Sequence, residues 1–321
     1  MSNLVEWRNG NAIHVEAPLE GLNDAPAISP TTLAGFMELR GRRVVEACGV
    51  LWHSTAGGFL MSLPYHQRLT PDYEEIDRLT RSQHVVGVRF PSTVWPGLPG
   101  GVYLHTAKSY RLSDIHRAFR RKIRRGLEQL RIRCIEPDEL LAQGQALNLD
   151  TMKRQGRYDP EFGEPSKWKQ FVEAVRRCPG VVAVGAFCGD RLAAYMITCR
   201  EGRGLHILHQ MSREQDLARS PNHVLTYEVT RQAAEDTSLD FVSYGLMSLV
   251  RTPGLHQYKL QFGYELNPHN EVFQIHPALA PILRSSSART LVHWVRGLRP
   301  QDQRLERLES VLQGASVPNH R

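Results

Sequence analysis

Apolar and polar positions recur along this chain with two periods, and the changes of period mark its elements. HVVGVRF, over 84–90, is β-branched and aromatic and reads as a strand. Arg43–Trp52, Gly58–Leu63 and Gly100–His105 read the same way. Pro71 and Asp72 open a helix to about Ser82. The period then lengthens. Ile115, Phe119, Ile123, Leu127 and Leu130 recur at spacings of three and four, which predicts a helix over Leu112–Leu130 with Ser113 as its N-cap. A strand follows over Arg131–Ile135, then a helix from Pro137 to about Gln155. Ser166 caps another helix, with Trp168, Phe171, Val172 and Val175 on one face. Three strands come next, over Val181–Cys188, Leu192–Glu201 and Leu205–Met211, and Gly189-Asp190 supplies a hairpin turn. A helix from the Ser220 loop to Asp236, a strand Asp240–Gly245, a helix Leu255–Phe262 and a strand Glu271–His276 complete the unit.

The flanks are plainer. The first thirty residues, rich in Asn, Pro and Ala, are expected to wrap the surface. A last helix is expected over Ala278–Leu298, burying Leu283, Leu291 and Trp294, with a short one near Leu305–Leu312 in a polar tail. The order is α+β: helices, an antiparallel meander, then a helix between strands. The first half repeats it faintly, which suits two related halves side by side.

Composition narrows the class. With 321 residues, 41% hydrophobic and 23% charged, the chain suits a globular protein of two domains or one large one. A net charge of +7 fits an anionic partner: a nucleotide, nucleic acid, phosphorylated carrier or anionic lipid. Five cysteines without a CxxC pair fit a reducing compartment and no structural metal. MSNLVEWRNGN lacks the apolar core of a signal peptide and no run reaches a spanning length, so the expected location is the cytoplasm, without stable membrane insertion.

Several places carry candidate chemistry. In ARSPNHVL, Ser220 suits an N-cap and Pro221 the first helical position, so the backbone N–H groups of Asn222, His223 and Val224 offer an anion site; the plain reading is an ordinary helix start. Lys259, in YKLQFG, is otherwise a solvated helix lysine. His209 in HILHQM is a candidate base. His206 lies three residues away, so on a regular strand the two point to opposite faces, against a shared metal. Tyr244, at the end of a strand, and His256 are further polar candidates, each of a type that also serves structure. Arg117, Arg120, Arg121, Lys122, Arg124 and Arg125 form the densest charge, opposite the apolar stripe of their helix. They are either a solvated face or, with Arg121 and Arg124 foremost, a contact for phosphates or a tRNA backbone. The polar break MKRQGRYDPEFGEPSKW holds Arg154, Arg157, Tyr158 and Asp159; Arg157 and Tyr158 suit acceptor recognition.

Three motifs, in this order and spacing, carry a family resemblance: RAFRRKIRRGLEQLRIRCI running into a strand, SPNHVLTYEVTRQAAE after three meander strands, and YKLQFGYEL after FVSYGL. Over roughly Ile115 to Pro277 the chain resembles the FemAB-like branch of the GNAT N-acyltransferase superfamily. The resemblance implies tandem GNAT-like units with mixed and antiparallel sheets flanked by helices, the second unit matching better. It implies a degenerate half over 1–110, an acyltransferase half over 111–300 and a tail over 301–321. It implies transfer of an acyl or aminoacyl group, from acyl-CoA or aminoacyl-tRNA as co-substrate, to an amine-bearing acceptor, without further cofactor or metal. Lys259 matches the lysine at the reaction centre, where its ammonium would stabilise the oxyanion; Tyr244 would donate to the donor or leaving group, and the Ser220–Val224 turn would hold the donor's phosphates. One departure stands out. GNAT enzymes cradle pyrophosphate with Q/R-x-x-G-x-G/A, whereas RSPNHV has no glycine. That keeps aminoacyl-tRNA open as donor, and a non-catalytic anion-binding role as a separate reading.

Overall fold

The computed structural model describes the backbone of residues 5–8, 11–14, 19, 31–249, 253–283, 285–287, 290, 292–294 and 303–315. The surface-wrapping role expected of the first thirty residues lies largely outside them, apart from the hairpin β1 (Val5–Arg8) and β2 (Asn11–His14). The first half contributes α1 (Thr32–Leu39), β3 (Val44–Ala47), β4 (Val50–Ser54), β5 (Phe59–Leu63), α2 (Tyr73–Ser82), β6 (Gly87–Ser92) and β7 (Leu98–His105). The second contributes α3 (Arg117–Leu127), β8 (Arg131–Cys134), α4 (Pro137–Arg154), α5 (Pro160–Gly163), α6 (Pro165–Arg177), β9 (Val181–Cys188), β10 (Arg191–Glu201) and β11 (Gly204–Ser212). It ends with α7 (Pro221–Glu235), β12 (Phe241–Leu246), α8 (Pro253–Gln261), β13 (Glu265–Ile275), α9 (Ala280–Leu283) and a C-terminal helix Gln303–Ala315.

Eleven strands form one sheet in the order β3-β4-β5-β6-β13-β7-β12-β11-β10-β9-β8. The duplication lies in this order. β3, β4 and β5 make an antiparallel meander, α2 follows, and β6 returns parallel to β5. β9, β10 and β11 make a second meander, α7 follows, and β12 returns parallel to β11. The two units exchange their last strands: β7, from the first half, pairs with β12, and β13, from the second, pairs with β6. β7 and β13 then pair with each other, so the sheet runs unbroken through the junction.

Strand alternation gives the sheet two buried faces. Trp52 on β4 packs with Ile76 and Leu79 of α2, while its neighbour Leu51 packs on the opposite side with α1. On β13, Leu266 and Val272 are an even number of positions apart and share a face; they join the clusters around α7 and α2 respectively. α2, α3, α7 and α8 therefore cover one face, and α1, α4, α5 and α6 the other.

Several boundaries differ from the expectations. Arg43–Trp52 is two strands, because Cys48 (φ 52°) and Gly49 (φ 70°) form a tight hairpin turn. The helix α1 was not expected; Glu201 accepts the Leu33 N–H at its start (2.7 Å). Ser113 is not a cap: a 3-10 turn over Leu112–Asp114 precedes α3, and the His116 side chain accepts from the Ala118 N–H instead. Nor does Ser166 cap α6, which starts one residue earlier at Pro165, with Glu164 before it. β13 begins at Glu265, six residues before the expected strand, because it pairs with both β6 and β7. Of the helix expected over Ala278–Leu298, the described residues include α9 and helical pieces as far as Trp294, which is exposed rather than buried; Leu291 lies outside the described residues. The tail helix is longer than expected, Gln303–Ala315.

α3 meets α7 at a glycine. A Cβ on Gly126 would stand 2.4 Å from Val224 Cγ2 and 2.7 Å from the Arg219 carbonyl oxygen. Gly126→Val should therefore push α3 off α7 and cost about 1–3 kcal/mol of stability, as overpacking does. Urea denaturation measures this; an unchanged midpoint would show that the helices separate freely.

Candidate functional site

The site lies where β11 and β12 part. Their parallel pairing covers only Gly204–His206 against Phe241–Ser243. Beyond it β11 runs on to Ser212 and β12 to Leu246, with a bulge and Gly245 in a left-handed conformation (φ 71°). Diverging strands leave backbone groups unpaired between them, and polar side chains gather there. Gln210 on β11 accepts a hydrogen bond from the Tyr244 hydroxyl on β12. Gln210 Nε2 donates to the Asn222 carbonyl (2.9 Å), which also accepts from Thr226 Oγ1 (2.9 Å) and the Tyr258 hydroxyl (3.1 Å). Asn222 Nδ2 donates to Ser212 Oγ (3.1 Å), as does Arg154 Nη2 (3.1 Å). Asn222 Oδ1 is buried without a hydrogen-bond partner, which leaves an acceptor open at the start of α7.

Lys259 enters this group from α8. Its side chain is buried, its Nζ donates to the Leu246 carbonyl (3.3 Å), and it sits 4.2 Å from the Tyr103 ring centroid and 5.2 Å from that of Tyr244. The two π faces partly replace the water a cation loses on burial. Even so, desolvation lowers its pKa to about 7. Tyr103 also bonds His256 Nδ1 through its hydroxyl (2.6 Å). Burial raises the Tyr244 hydroxyl to about 12, so it stays protonated and holds its bond to Gln210.

The start of α7 is an uneven anion site. Ser220 adopts a left-handed conformation (φ 57°, ψ 44°) and its side chain does not cap the helix. Its carbonyl already accepts from His223 N–H (2.9 Å) and Val224 N–H (3.2 Å), and Pro221 has no N–H. This corrects the expectation of three free donors: Asn222 N–H is the one outside these two bonds. The His223 ring packs edge-on to Phe119 (4.5 Å) beside Tyr258 and Phe262, with Nε2 buried and without a hydrogen-bond partner. Burial foremost, and then Lys122, lower its pKa to about 4, so it is neutral. The corresponding helix of the first unit is electrostatically opposite. α2 has Asp72 before it and Glu74 and Glu75 in its first turn, which repel an anion, whereas α7 has no acid there.

Not every candidate is brought together. Lys259, Tyr244, Ser220, Asn222, His223 and Val224 surround one region. His209 does not join them: it packs on Phe162 (4.5 Å) and Phe171 (5.7 Å), on the face of α5 and α6. Burial first, then Arg40, lower its pKa to about 3. A bulge explains its direction. Ile197 pairs with His209 and Thr198 with Ile207, so Leu208 is the extra residue. His206 opposes Cys199 and His209 opposes Ile197, two apart on β10, so both histidines share a face. That overturns the expectation of opposite faces, although Phe241 and His66 hold His206 away from the His209 aromatic nest. Arg157, bonded to Gln155 Oε1 (2.6 Å), and exposed Tyr158 lie beside α5, also on that second face. Arg121 and Arg124 are exposed on α3. Gln210, Thr226 and Tyr103 were not singled out from the sequence; for Gln210 the signal was available, since it neighbours His209 and alternation turns it to the opposite face.

Residues 113–260 match a family model described as an acetyltransferase (GNAT) domain. That stretch is similar to a GNAT domain. Solved structures extend the likeness beyond it. FemX superimposes with a TM-score of 0.55 at 11% identity, covering 81% of this chain and 96% of that one. L-PGS from Bacillus licheniformis gives 0.52 at 10% identity, covering 94% and 99%. The C-terminal domain of a putative lysylphosphatidylglycerol synthetase from Agrobacterium fabrum gives 0.51 at 8%, covering 79% and 89%. No curated protein matches in sequence. At these identities the likenesses speak for the fold, and the FemAB-like resemblance holds at that level. Among the described residues, no helix of this chain is long and apolar enough to cross a membrane.

Proposed function

We propose that the second unit transfers an acyl group from acyl-CoA to an amine of an acceptor molecule. The observation that carries this reading is Lys259: a buried lysine at the end of β12, where that strand has left β11, beside a helix start without acidic residues. The acceptor nitrogen attacks the thioester carbonyl carbon, a C–N bond forms, and the carbonyl oxygen becomes an oxyanion. Lys259, as an ammonium, stabilises that charge. Collapse re-forms the carbonyl and breaks the C–S bond; the thiolate gains a proton and the attacking nitrogen loses one. The Tyr244 hydroxyl is the donor proposed for the leaving group. Asn222 N–H, the His223 ring and Lys122 are proposed to meet the donor's phosphates. Arg157 and Tyr158, on the other face, are not needed for these steps.

Aminoacyl-tRNA is the second reading. It is favoured by the glycine-free Ser220–Val224 turn, whose His223 and Val224 N–H groups are already bonded, and by the unopposed charge of α3. Calorimetric titration with CoA and, separately, with charged tRNA separates the two. Heat with CoA alone supports the first, heat with tRNA alone the second, and no heat with either counts against both and favours the non-catalytic role.

A further inference from the structure

Apart from Lys122, the outer face of α3 has no role in the transfer steps. Phe119, Ile123 and Gly126 turn inward, while Arg117, Arg121, Lys122, Arg124 and Arg125 are exposed. From Ile115 to Leu127 there is no acidic residue. Arg120 is engaged, donating to the Ile115 and Ser113 carbonyls, but among the described residues the other five have no carboxylate within ion-pair distance. Like charges so crowded repel one another unless an anionic partner lies over them.

Two exposed leucines lie on segments that adjoin α3. Leu260, 37% exposed, lines one shallow depression with His116, Arg117 and Arg120. Leu217, 38% exposed, lies on the 3-10 turn Glu214–Arg219, which packs against α3 at Gly126. Exposed leucines beside arginines suit a surface that is anionic at the phosphate level and apolar just beneath. They gain little on a nucleic acid, where exposed aromatic rings for stacking would be expected, and α3 carries none on that face. We propose that α3, with Leu217 and Leu260, docks the protein onto an anionic phospholipid bilayer. The contact is peripheral, and it sets the start of α7, packed against α3, at the lipid boundary. It does not depend on the donor or on catalysis.

The test is co-sedimentation of the full chain with phosphatidylcholine vesicles, with and without phosphatidylglycerol. Binding should require the anionic lipid and weaken with salt. Arg121→Glu/Arg124→Glu should weaken it by at least about tenfold, given what each basic residue contributes near such a surface. Leu217→Ser/Leu260→Ser should weaken it as well, at unchanged melting temperature. A polyuridine competitor should displace the protein poorly. Equal binding to neutral vesicles, no binding to anionic ones, or a charge-only effect with full displacement by RNA would each overturn the proposal, the last in favour of a nucleic-acid surface.

Discussion

Lys259→Met should lower the transfer rate by about 10²–10³-fold, the loss typical of removing one preorganised stabiliser of a developing oxyanion. Methionine keeps much of the volume between the Tyr103 and Tyr244 rings, so the fold should survive; an unchanged melting temperature checks that. Lys259→Ala should lose the same activity and also leave a gap. The pH profile tells how the lysine acts. Burial places its pKa at about 7, against an ordinary 10.5. If the ammonium is the working form, activity falls as pH rises through about 7 in the free protein. A phosphate-bearing donor bound nearby moves this limb upward, because an anion favours the charged amine. If the neutral amine were a base, activity would instead rise through the same range. Lys259→Arg, charged at every accessible pH, should remove the limb while retaining part of the rate. Transfer that survives both Lys259→Met and Lys259→Ala would remove this lysine from the chemistry.

Lys259 was legible in the sequence only through the family resemblance. Nothing in YKLQFG says that the side chain is buried, since burial comes from β7 and β12, more than a hundred residues apart in part. The same limit explains the larger gaps. Each meander, its helix and the strand after it are local and show in the apolar spacing. The exchange of β7 and β13 is a pairing over long distance, for which alternation within a strand carries no signal. The β11 bulge is subtler still: one extra residue, Leu208, puts His209 on the same face as His206, where it enters an aromatic nest. Cys48 at positive φ hides a hairpin that Asn or Gly would have advertised. At α7, sequence located the helix start correctly but not the occupied state of its N–H groups, which depends on the left-handed Ser220. What remained readable was the contrast between Asp72, Glu74 and Glu75 at one helix start and the absence of acids at the other.

On the α1/α5 face the two halves also meet through a buried ion pair, and breaking it should be costly. Arg40, at the end of α1, holds Glu161 of α5 through both its Nε (2.9 Å) and Nη2 (2.5 Å). Its guanidinium also lies 5.2 Å from the Phe36 and Phe171 ring centroids. Both side chains are nearly inaccessible, at 8% and 12% exposure. Burial by itself would raise the Glu161 carboxyl, but the Arg40 hydrogen bonds and charge outweigh it and hold the pKa below the ordinary value. Arg40→Leu leaves that carboxylate buried with only Arg42, 3.5 Å away, as a cation, and should cost about 3–5 kcal/mol. Arg40→Leu/Glu161→Leu should recover much of the loss, because a pair replaced by apolar groups of similar size is often neutral. The pH dependence follows the same sign. A carboxyl with a depressed folded pKa stabilises above its unfolded value, near 4.5, and that contribution disappears as pH falls below it. In the wild type, stability should therefore decline in this acid range, and in the double variant that part of the decline should be absent. Urea midpoints at neutral pH and below pH 4.5 measure both effects. A double variant as unstable as the single one would mean that α1 and α5 need the charges themselves, with packing on Phe36 and Phe171 too weak to hold α1 against α5.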